Sequence, residues 1–286
     1  MSGKKMTVND IFQQVRAILT EGGCETPEFD AVCLLEDVGG VGRGKVDMNG
    51  ADTLSPERCE TVLSAAKRRA SGEPLQYLLG TWDFLNLTLE VGEGVLIPRP
   101  ETELLCETVA QKLSKTPSAK VLDLCAGSGC VGLGIAALCP NVNITALELS
   151  EKAFEYLQRN IKRYPTFSVT VQKADVLVEF DAVDGTFDAI VSNPPYIPDA
   201  DMPSLQREVQ HEPRMALAAG DGYRFYRVIA EHWTKKLKAG GLLAVEVGIG
   251  QSQTVEELFR QAGLDEVTSF LDFANIPRVV IGKKAV

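Results

Sequence analysis

The sequence predicts an α/β fold, in which a parallel sheet carries helices on both faces, preceded by a region of helices. From Lys120 onward, short apolar runs alternate with segments of helical periodicity, as in strands joined by crossover helices. The apolar runs cover residues 121–126, 144–149, 168–173, 187–192 and 242–247. The helical segments lie around residues 130–139, 151–163 and 223–237. Two further strands are expected within residues 264–282, without a long helix between them.

Residues 1 to about 75 carry helix signals. Thr7 and Asp10 have the spacing of a capping box. Thr26 and Ser55 each precede a proline, as cap residues do before a first helical turn, and the second of these helices is expected to end near Gly72. The apolar positions of the first helix share one face: Val8, Ile11, Phe12, Val15, Ile18 and Leu19.

Local sequence patterns predict two connecting segments. Glycine-rich residues 39–45 lack both the Ser or Thr and the preceding strand of a phosphate loop, so they predict a flexible connector. Residues 82–91 alternate in polarity around Leu85–Asn86, which predicts a β-hairpin between the helical region and the sheet domain. A helix is expected to begin near Glu101.

Composition excludes several classes of protein. The 286 residues carry a net charge of −10, which disfavours broad, charge-driven binding of nucleic acid. No apolar run approaches a membrane span, and the first residues do not resemble a secretory signal, so we expect a cytoplasmic protein. The seven cysteines form no CxxC pair and only two histidines are present, so we expect reduced thiols and no metal site.

A glycine-rich loop follows the first strand of the predicted sheet. Gly127, Gly129 and Gly132 have the GxGxxG spacing, and such a loop lets a ligand approach the backbone at the start of a helix. Glu148 ends the next strand, where a carboxylate can accept hydrogen bonds from both ribose hydroxyls. This spacing also fits an NAD-dependent oxidoreductase.

Two acidic residues favour S-adenosylmethionine over a dinucleotide. Asp123 stands just before the loop, where a carboxylate suits a cationic ammonium group better than a pyrophosphate. Asp175 follows the third strand and is placed to reach an adenine amino group. The alternative is that both are helix or turn caps.

The tetrad Asn193-Pro194-Pro195-Tyr196 follows the fourth strand, at the ligand crevice of an open α/β sheet. The Asn193 side-chain oxygen and the Pro194 carbonyl offer two acceptors for an –NH2 group, and the prolines restrict their movement. Tyr196 can stack on a planar amide. Positioning of this kind contributes about 7–11 kcal/mol to such transfers. A proline-rich turn without function is the alternative.

With these motifs, the chain resembles the HemK/PrmC family of release factor glutamine N5-methyltransferases. The resemblance covers nearly all of residues 72–282. It rests on these segments: GEPLQYLLG (72–80), LIPRPETE (96–103), the tetrad with Ile197-Pro198, HEPRMAL (211–217), GDG (220–222) and EVG (246–248).

The resemblance implies a seven-stranded Rossmann-like class I methyltransferase domain with a small N-terminal helical bundle. The expected division is a substrate-docking bundle at 1–75, a hairpin linker at 76–98 and a methyltransferase domain at 99–286. The implied reaction is methylation of the glutamine in the Gly-Gly-Gln motif of class 1 peptide chain release factors. Two departures from the family pattern are Val176, where an aromatic often packs on adenine, and Cys125, where glycine is frequent.

The residues expected in the site follow from the motifs and from the resemblance together. Those expected to bind S-adenosylmethionine are Asp123, Cys125, Ala126, Gly127, Ser128, Gly129, Glu148, Asp175, Val176 and Asn193. Those expected to bind substrate are Asn193, Pro194, Pro195, Tyr196 and Arg99, of which Asn193, Pro194 and Tyr196 are the candidate catalytic residues.

Some roles and functions stay open. Arg99 orients a ligand or pairs with Glu101 or Glu103. Glu246 lines the crevice or makes structural hydrogen bonds, and His211 is expected to be a packing or helix-end residue. The alternative functions are an adenine-N6 nucleic acid methyltransferase, which would flip its base, and a non-catalytic cofactor-binding protein of the translation machinery. No direct binding to nucleic acid or membrane is expected.

Overall fold

The computed structural model describes residues 6–42, 44, 46 and 52–286, so Arg43 and Lys45 of the glycine-rich connector lie outside the described residues. The described chain forms two compact units. The first, the helical unit, comprises the residues up to Thr81 together with Gln206–His211. The second, the sheet unit, comprises Trp82–Leu205 and Glu212–Val286.

In its described residues, the helical unit contains four α-helices and two very short strands. A π-helical turn at Leu34–Val38 follows the second helix, and a 3-10 turn at Val209–His211 lies in the later segment. The helices are α1 (Val8–Glu21), α2 (Pro27–Cys33), α3 (Pro56–Ala70) and α4 (Leu75–Leu79), and the antiparallel strands are β1 (Met6–Thr7) and β2 (Thr53–Leu54).

Helices α1, α2 and α3 start where the sequence predicts, and one predicted cap residue, Thr26, makes no capping hydrogen bond. Thr7 and Asp10 form the capping box, and Ser55 accepts from the backbone N–H of Arg58. Thr26 makes no such bond; its hydroxyl donates to Asp30 Oδ1 at 2.9 Å. On α1 the predicted apolar face is buried except for the partly exposed Ile18.

The segment Gln206–His211 supplies a charge to the helical unit. The guanidinium of Arg69 is buried between two carboxylates: Nε donates to Asp30 Oδ2 at 2.7 Å and Nη1 donates to Glu208 Oε1 at 2.8 Å. A buried cation without such partners would be strongly destabilising. Residues far along the chain therefore complete this unit.

The predicted hairpin is present, with strands β3 (Thr81–Phe84) and β4 (Leu87–Glu90) and the turn at Leu85–Asn86. Its apolar side chains Phe84, Leu87 and Leu89 are buried in one core cluster of the sheet unit. The hairpin strands thus belong to a packed core.

The sheet unit holds a seven-stranded sheet and six helices. The strands are β5 (Lys120–Leu124), β6 (Asn143–Glu148), β7 (Ser168–Lys173), β8 (Phe187–Ser192), β9 (Leu237–Glu246), β10 (Leu264–Leu271) and β11 (Pro277–Lys284). The helices are α5 (Pro100–Leu113), α6 (Cys130–Leu138), α7 (Glu151–Arg163), α8 (Arg214–Leu217), α9 (Arg224–His232) and α10 (Ser252–Gln261).

The strand order is β10-β11-β9-β8-β5-β6-β7. Strands β9, β8, β5, β6 and β7 are parallel, whereas β11 is antiparallel to both of its neighbours. The chain moves outward from β5 to β7 and then returns to β8 on the other side of β5. This topological switch point is where open α/β sheets bind ligands, at the carboxyl ends of the strands.

Several negative observations concern the described residues alone. None of the helices in this part of the chain combines the length and apolar character that crossing a membrane requires. The seven cysteines are unpaired thiols. Across residues 6–42, 44, 46 and 52–286, no group of three or more acidic, cysteine or histidine side chains is arranged to hold a metal ion.

Candidate active site

The glycine loop connects the carboxyl end of β5 to α6. Three of its residues adopt left-handed backbone conformations, with φ of 60° at Cys125, 56° at Gly127 and 84° at Gly129. A side chain costs energy at such angles, so glycine would be the least strained residue at position 125. Cys125 accepts this strain in the present chain.

Glu148, at the end of β6, holds this loop from the side. Its two carboxylate oxygens accept hydrogen bonds from the backbone N–H groups of Gly127 at 2.8 Å and Ser150 at 2.7 Å. Burial raises the pKa of Glu148, and these N–H groups oppose the shift. Each carboxylate oxygen has a second lone pair, so Glu148 can still accept from a ligand hydroxyl.

Asp123 lies beneath the loop and is fully buried. Its Oδ2 accepts from the Gly132 N–H at 2.9 Å, in the first turn of α6, which is the capping role that the sequence left open. Its Oδ1 is buried without a protein partner. Burial raises the pKa of Asp123 to about 7, and a cationic group at Oδ1 would lower it again.

Asp175 and Val176 follow β7 and form another wall of the site. Asp175 Oδ1 accepts from the Leu177 N–H at 2.9 Å, so this residue also caps a turn. Val176 is buried, and its carbonyl accepts from Trp233 Nε1 at 2.9 Å. An aliphatic side chain therefore forms this part of the wall.

The Asn193–Tyr196 tetrad continues from β8, next to β5 in the sheet. Gln251 holds its last residue, because Nε2 donates to the Tyr196 carbonyl at 2.9 Å and to the Gly222 carbonyl at 3.2 Å. The tetrad is thus tied to the GDG segment as well as confined by its prolines.

The Asn193 side chain belongs to a hydrogen-bonded chain. Asn193 Nδ2 donates to Thr102 Oγ1 at 3.1 Å, and Thr102 Oγ1 donates to Glu246 Oε2 at 2.6 Å. The Tyr196 hydroxyl lies 3.5 Å from Glu246 Oε1. Burial raises the pKa of Glu246 to about 7, and burial also raises the pKa of Tyr196.

Arg99 has a partner other than the two that the sequence suggested. It pairs with Glu212 rather than with Glu101 or Glu103, and Glu212 Oε2 also accepts from the Ile97 N–H at 2.9 Å. Glu212 is 6% exposed. Of the two alternatives for Arg99, the salt bridge with Glu101 or Glu103 is therefore wrong. The actual partner lies 113 positions away, which a single sequence does not reveal. His211 is exposed at the end of a 3-10 turn.

One pocket in the sheet unit collects most of the predicted site. The expected cofactor residues that line it are residues 125–128, Glu148, Asp175, Val176 and Asn193. The expected substrate residues Arg99 and Pro195 line it as well. Four predicted residues do not line it: Asp123, Gly129, Pro194 and Tyr196.

Other lining residues were not predicted. Among them are Thr102 and the apolar residues Leu149, Ala153, Leu177 and Phe225. Leu149 directly follows Glu148, and Leu177 lies two positions after Asp175. Their positions just after predicted strand ends were the one sequence feature that could have indicated them. Phe225 lies on α9, and no local pattern distinguishes it from a core aromatic.

The chain matches two family models, described as PrmC N-terminal domain over residues 10–80 and methyltransferase small domain over residues 100–245. The release factor glutamine methyltransferase of Geobacter sulfurreducens is 38% identical over 280 residues, covering 97% of this chain and 96% of that protein. That of Coxiella burnetii is 35% identical over 285 residues, covering 99% of each. The chain belongs to the release factor glutamine methyltransferase family.

A solved structure agrees with this family in fold. A methyltransferase from Pyrococcus furiosus superimposes with a TM-score of 0.53 at 21% identity, covering 71% of this chain and 91% of that one. The predicted seven-stranded α/β methyltransferase fold with an N-terminal helical region is confirmed. Members of the release factor glutamine methyltransferase family use this fold for methyl transfer.

Proposed function

We propose that this protein transfers a methyl group from S-adenosylmethionine to the side-chain amide nitrogen of the glutamine in the Gly-Gly-Gln motif of class 1 peptide chain release factors. The observation that carries the proposal is the orientation of Asn193. Its Nδ2 is engaged by Thr102, which leaves Oδ1 as an acceptor at the carboxyl end of β8. Family membership supplies the substrate.

The pocket suits the cofactor by its donor and acceptor set. The carboxylate of Glu148 lines the pocket and accepts from the Gly127 N–H, and apolar side chains close one wall. Beneath the glycine loop, the buried Asp123 Oδ1 lacks a protein partner. Glu148 would hold the ribose, Asp175 and Val176 the adenine, and Asp123 the ammonium group. S-adenosylmethionine, when bound, supplies an electrophilic methyl group on its sulfonium.

The remaining chemistry is done by the tetrad. An amide nitrogen is a weak nucleophile because its lone pair is delocalised into the carbonyl. Asn193 Oδ1 and the Pro194 carbonyl accept the two N–H hydrogens and point the nitrogen at the methyl group, while Tyr196 packs on the amide plane. The proton that leaves after transfer passes to solvent, because an alkylated amide nitrogen is strongly acidic.

We also propose a role for each part of the chain, including the part that binds the release factor. Residues 1–75 dock the release factor, residues 76–98 form the linker and residues 99–286 carry out methyl transfer. The match of residues 10–80 to the PrmC N-terminal domain supports the first assignment. The cytoplasm is the proposed location, which suits seven unpaired thiols.

The deciding experiment is incubation of the protein with labelled S-adenosylmethionine and a purified class 1 release factor. Mass spectrometry should place one methyl group on the glutamine of the Gly-Gly-Gln motif. The matched control is the same release factor with that glutamine replaced by alanine, which should take up no label. Label on adenine of added duplex DNA or RNA, or no label on any acceptor, would overturn the proposal.

A further inference from the structure

Thr102, in the first turn of α5, joins two residues that lie far from it in the sequence. Its hydroxyl has one proton, which is donated to Glu246 Oε2 at 2.6 Å. The same oxygen accepts from Asn193 Nδ2 at 3.1 Å. A hydroxyl that donates to a carboxylate has only lone pairs left for its other neighbour. The polarity of the Asn193 amide is therefore set by Glu246 through Thr102.

We propose that Thr102 and Glu246 are positioning residues that decide which end of the Asn193 amide faces the substrate. The proposal rests on the proposed function, because only an acceptor at Asn193 can bind a substrate –NH2 group. With Glu246 ionised, Thr102 must donate to it, Asn193 Nδ2 must face Thr102, and Asn193 Oδ1 faces the substrate. The ionised carboxylate thus selects the productive rotamer.

Protonation of Glu246 removes this selection. A neutral carboxyl group can donate to Thr102, whose own proton then becomes available to Asn193 Oδ1. The amide can turn over and present Nδ2, a donor, to a substrate group that is itself a donor. Activity should therefore be lost as Glu246 becomes protonated.

The surroundings of Glu246 place this change near neutral pH. Glu246 is 2% exposed, and burial raises its pKa to about 7. The two cations that act to lower the pKa of Glu246 have partners of their own: Arg99 pairs with Glu212, and Arg278 Nε lies 3.0 Å from Asp272 Oδ2. The titratable and charged groups that act on Glu246 or feel its charge are Glu101, Arg99, Arg278, Tyr196, Tyr226, Cys106 and Cys130.

The first test needs no substrate. Side-chain amide resonances of ¹⁵N-labelled full-length protein are followed by NMR from pH 5.5 to 8.5, and the Asn193 pair is assigned by its absence in Asn193→Asp. In the wild-type protein this pair should titrate with a midpoint near pH 7. The titration should vanish in Glu246→Gln and in Thr102→Val. An Asn193 resonance that does not titrate in the wild type, or titrates equally in Thr102→Val, would overturn the proposal.

The second test measures single-turnover methyl transfer against pH. The wild-type rate should rise with pH to a plateau above the same midpoint. Thr102→Val should lower the plateau about 10- to 100-fold, as expected for a displaced reacting group, while S-adenosylmethionine affinity stays within about threefold. Thr102→Ser, which keeps the hydroxyl, should recover most of the lost rate.

The matched control for the kinetics is Thr108→Val. Thr108 is a second buried threonine on α5, outside the chain of hydrogen bonds, so this variant should keep the wild-type rate and pH profile. An equal loss in both valine variants, or no recovery in Thr102→Ser, would assign the effect to packing. If the wild-type protein methylates no glutamine, the proposed function fails. The NMR titration still tests the hydrogen bonds of Glu246, Thr102 and Asn193 independently of activity.

Discussion

Asn160 Nδ2 donates to the carbonyl oxygen of Ser128 at 2.9 Å, so a residue of α7 holds the glycine loop. The same amide group also pairs with the backbone of Glu90, accepting its N–H at 2.6 Å and donating to its carbonyl at 3.0 Å. One fully buried side chain therefore fixes the cofactor loop and the end of the hairpin strand β4 at once.

Replacing Asn160 by alanine should remove the side-chain partner of three backbone groups, of which the Ser128 carbonyl is buried and the two Glu90 groups are partly buried. The free energy of unfolding should fall by about 2–4 kcal/mol, since each unpaired group costs about 1–3 kcal/mol and local rearrangement recovers part of it. Chemical denaturation measures the change. Asn143→Ala, at an exposed asparagine, is the control and should change stability by less than about 0.5 kcal/mol. Similar losses in the two variants would contradict the bridging role.

Gly127 and Gly185 allow backbone strain to be separated from loss of the pocket. Both have positive φ, 56° and 86°, and an added Cβ would meet no protein atom within 4 Å at either position. Each alanine variant should lose about 1–2 kcal/mol of stability. Only Gly127→Ala should also weaken S-adenosylmethionine binding, by about tenfold, because Gly127 lines the pocket. Calorimetric titration measures the affinities, and equal affinities would remove Gly127 from the cofactor site.

Asp123 should make the stability of the ligand-free protein fall as pH rises. Its pKa is about 7 in the folded protein and about 3.9 when unfolded, so between these values the folded state binds the extra proton. Relative to Asp123→Asn, the wild-type free energy of unfolding should decline by up to about 4 kcal/mol from pH 4 to 7 and then stay level. Urea unfolding across that range measures the difference. A difference that is flat or grows with pH would show that burial does not govern this carboxyl group.

Asn193→Ala should separate chemistry from cofactor binding. The variant loses the acceptor for the substrate amide, and the rate of methyl transfer should fall by at least about 100-fold. S-adenosylmethionine affinity should fall only a few-fold, since many other groups line the pocket. Single-turnover kinetics and calorimetry give the two values. Large and equal losses in both would contradict the division of roles between the tetrad and the glycine loop.

Local patterns were sufficient to predict most of the sheet unit. Strands β5 to β8 and helices α6 and α7 coincide closely with the predicted segments, because periodicity and turn chemistry are encoded by neighbouring residues. The helix α10 (Ser252–Gln261) was not among the predicted segments. The direction of β11 was also not predicted: the short connection at 272–276 allows only an antiparallel return, whereas parallel strands need a long crossover.

Pairings across long stretches of the chain were beyond sequence reasoning. The bond between Thr102 and Glu246 spans 144 positions, and nothing near either residue indicates the other. The sequence analysis left the role of Glu246 open and did not single out Thr102. The Thr102 hydroxyl and the Glu246 carboxylate interact because the fold brings them within 2.6 Å of each other. Residues that neighbour each other in the sequence do not indicate such a contact.

The segment Gln206–His211 determines when the helical unit can be completed during translation. Glu208, the second acidic partner of Arg69, is synthesised 139 residues after it. In a nascent chain that has emerged only to the end of α4, Asp30 is the one of these two carboxylates available to the Arg69 guanidinium, which also donates to the Glu73 carbonyl. The second carboxylate, Glu208, is added only after translation has passed through four strands of the large sheet. The helical unit therefore reaches its final stability late in biosynthesis, although it is encoded first.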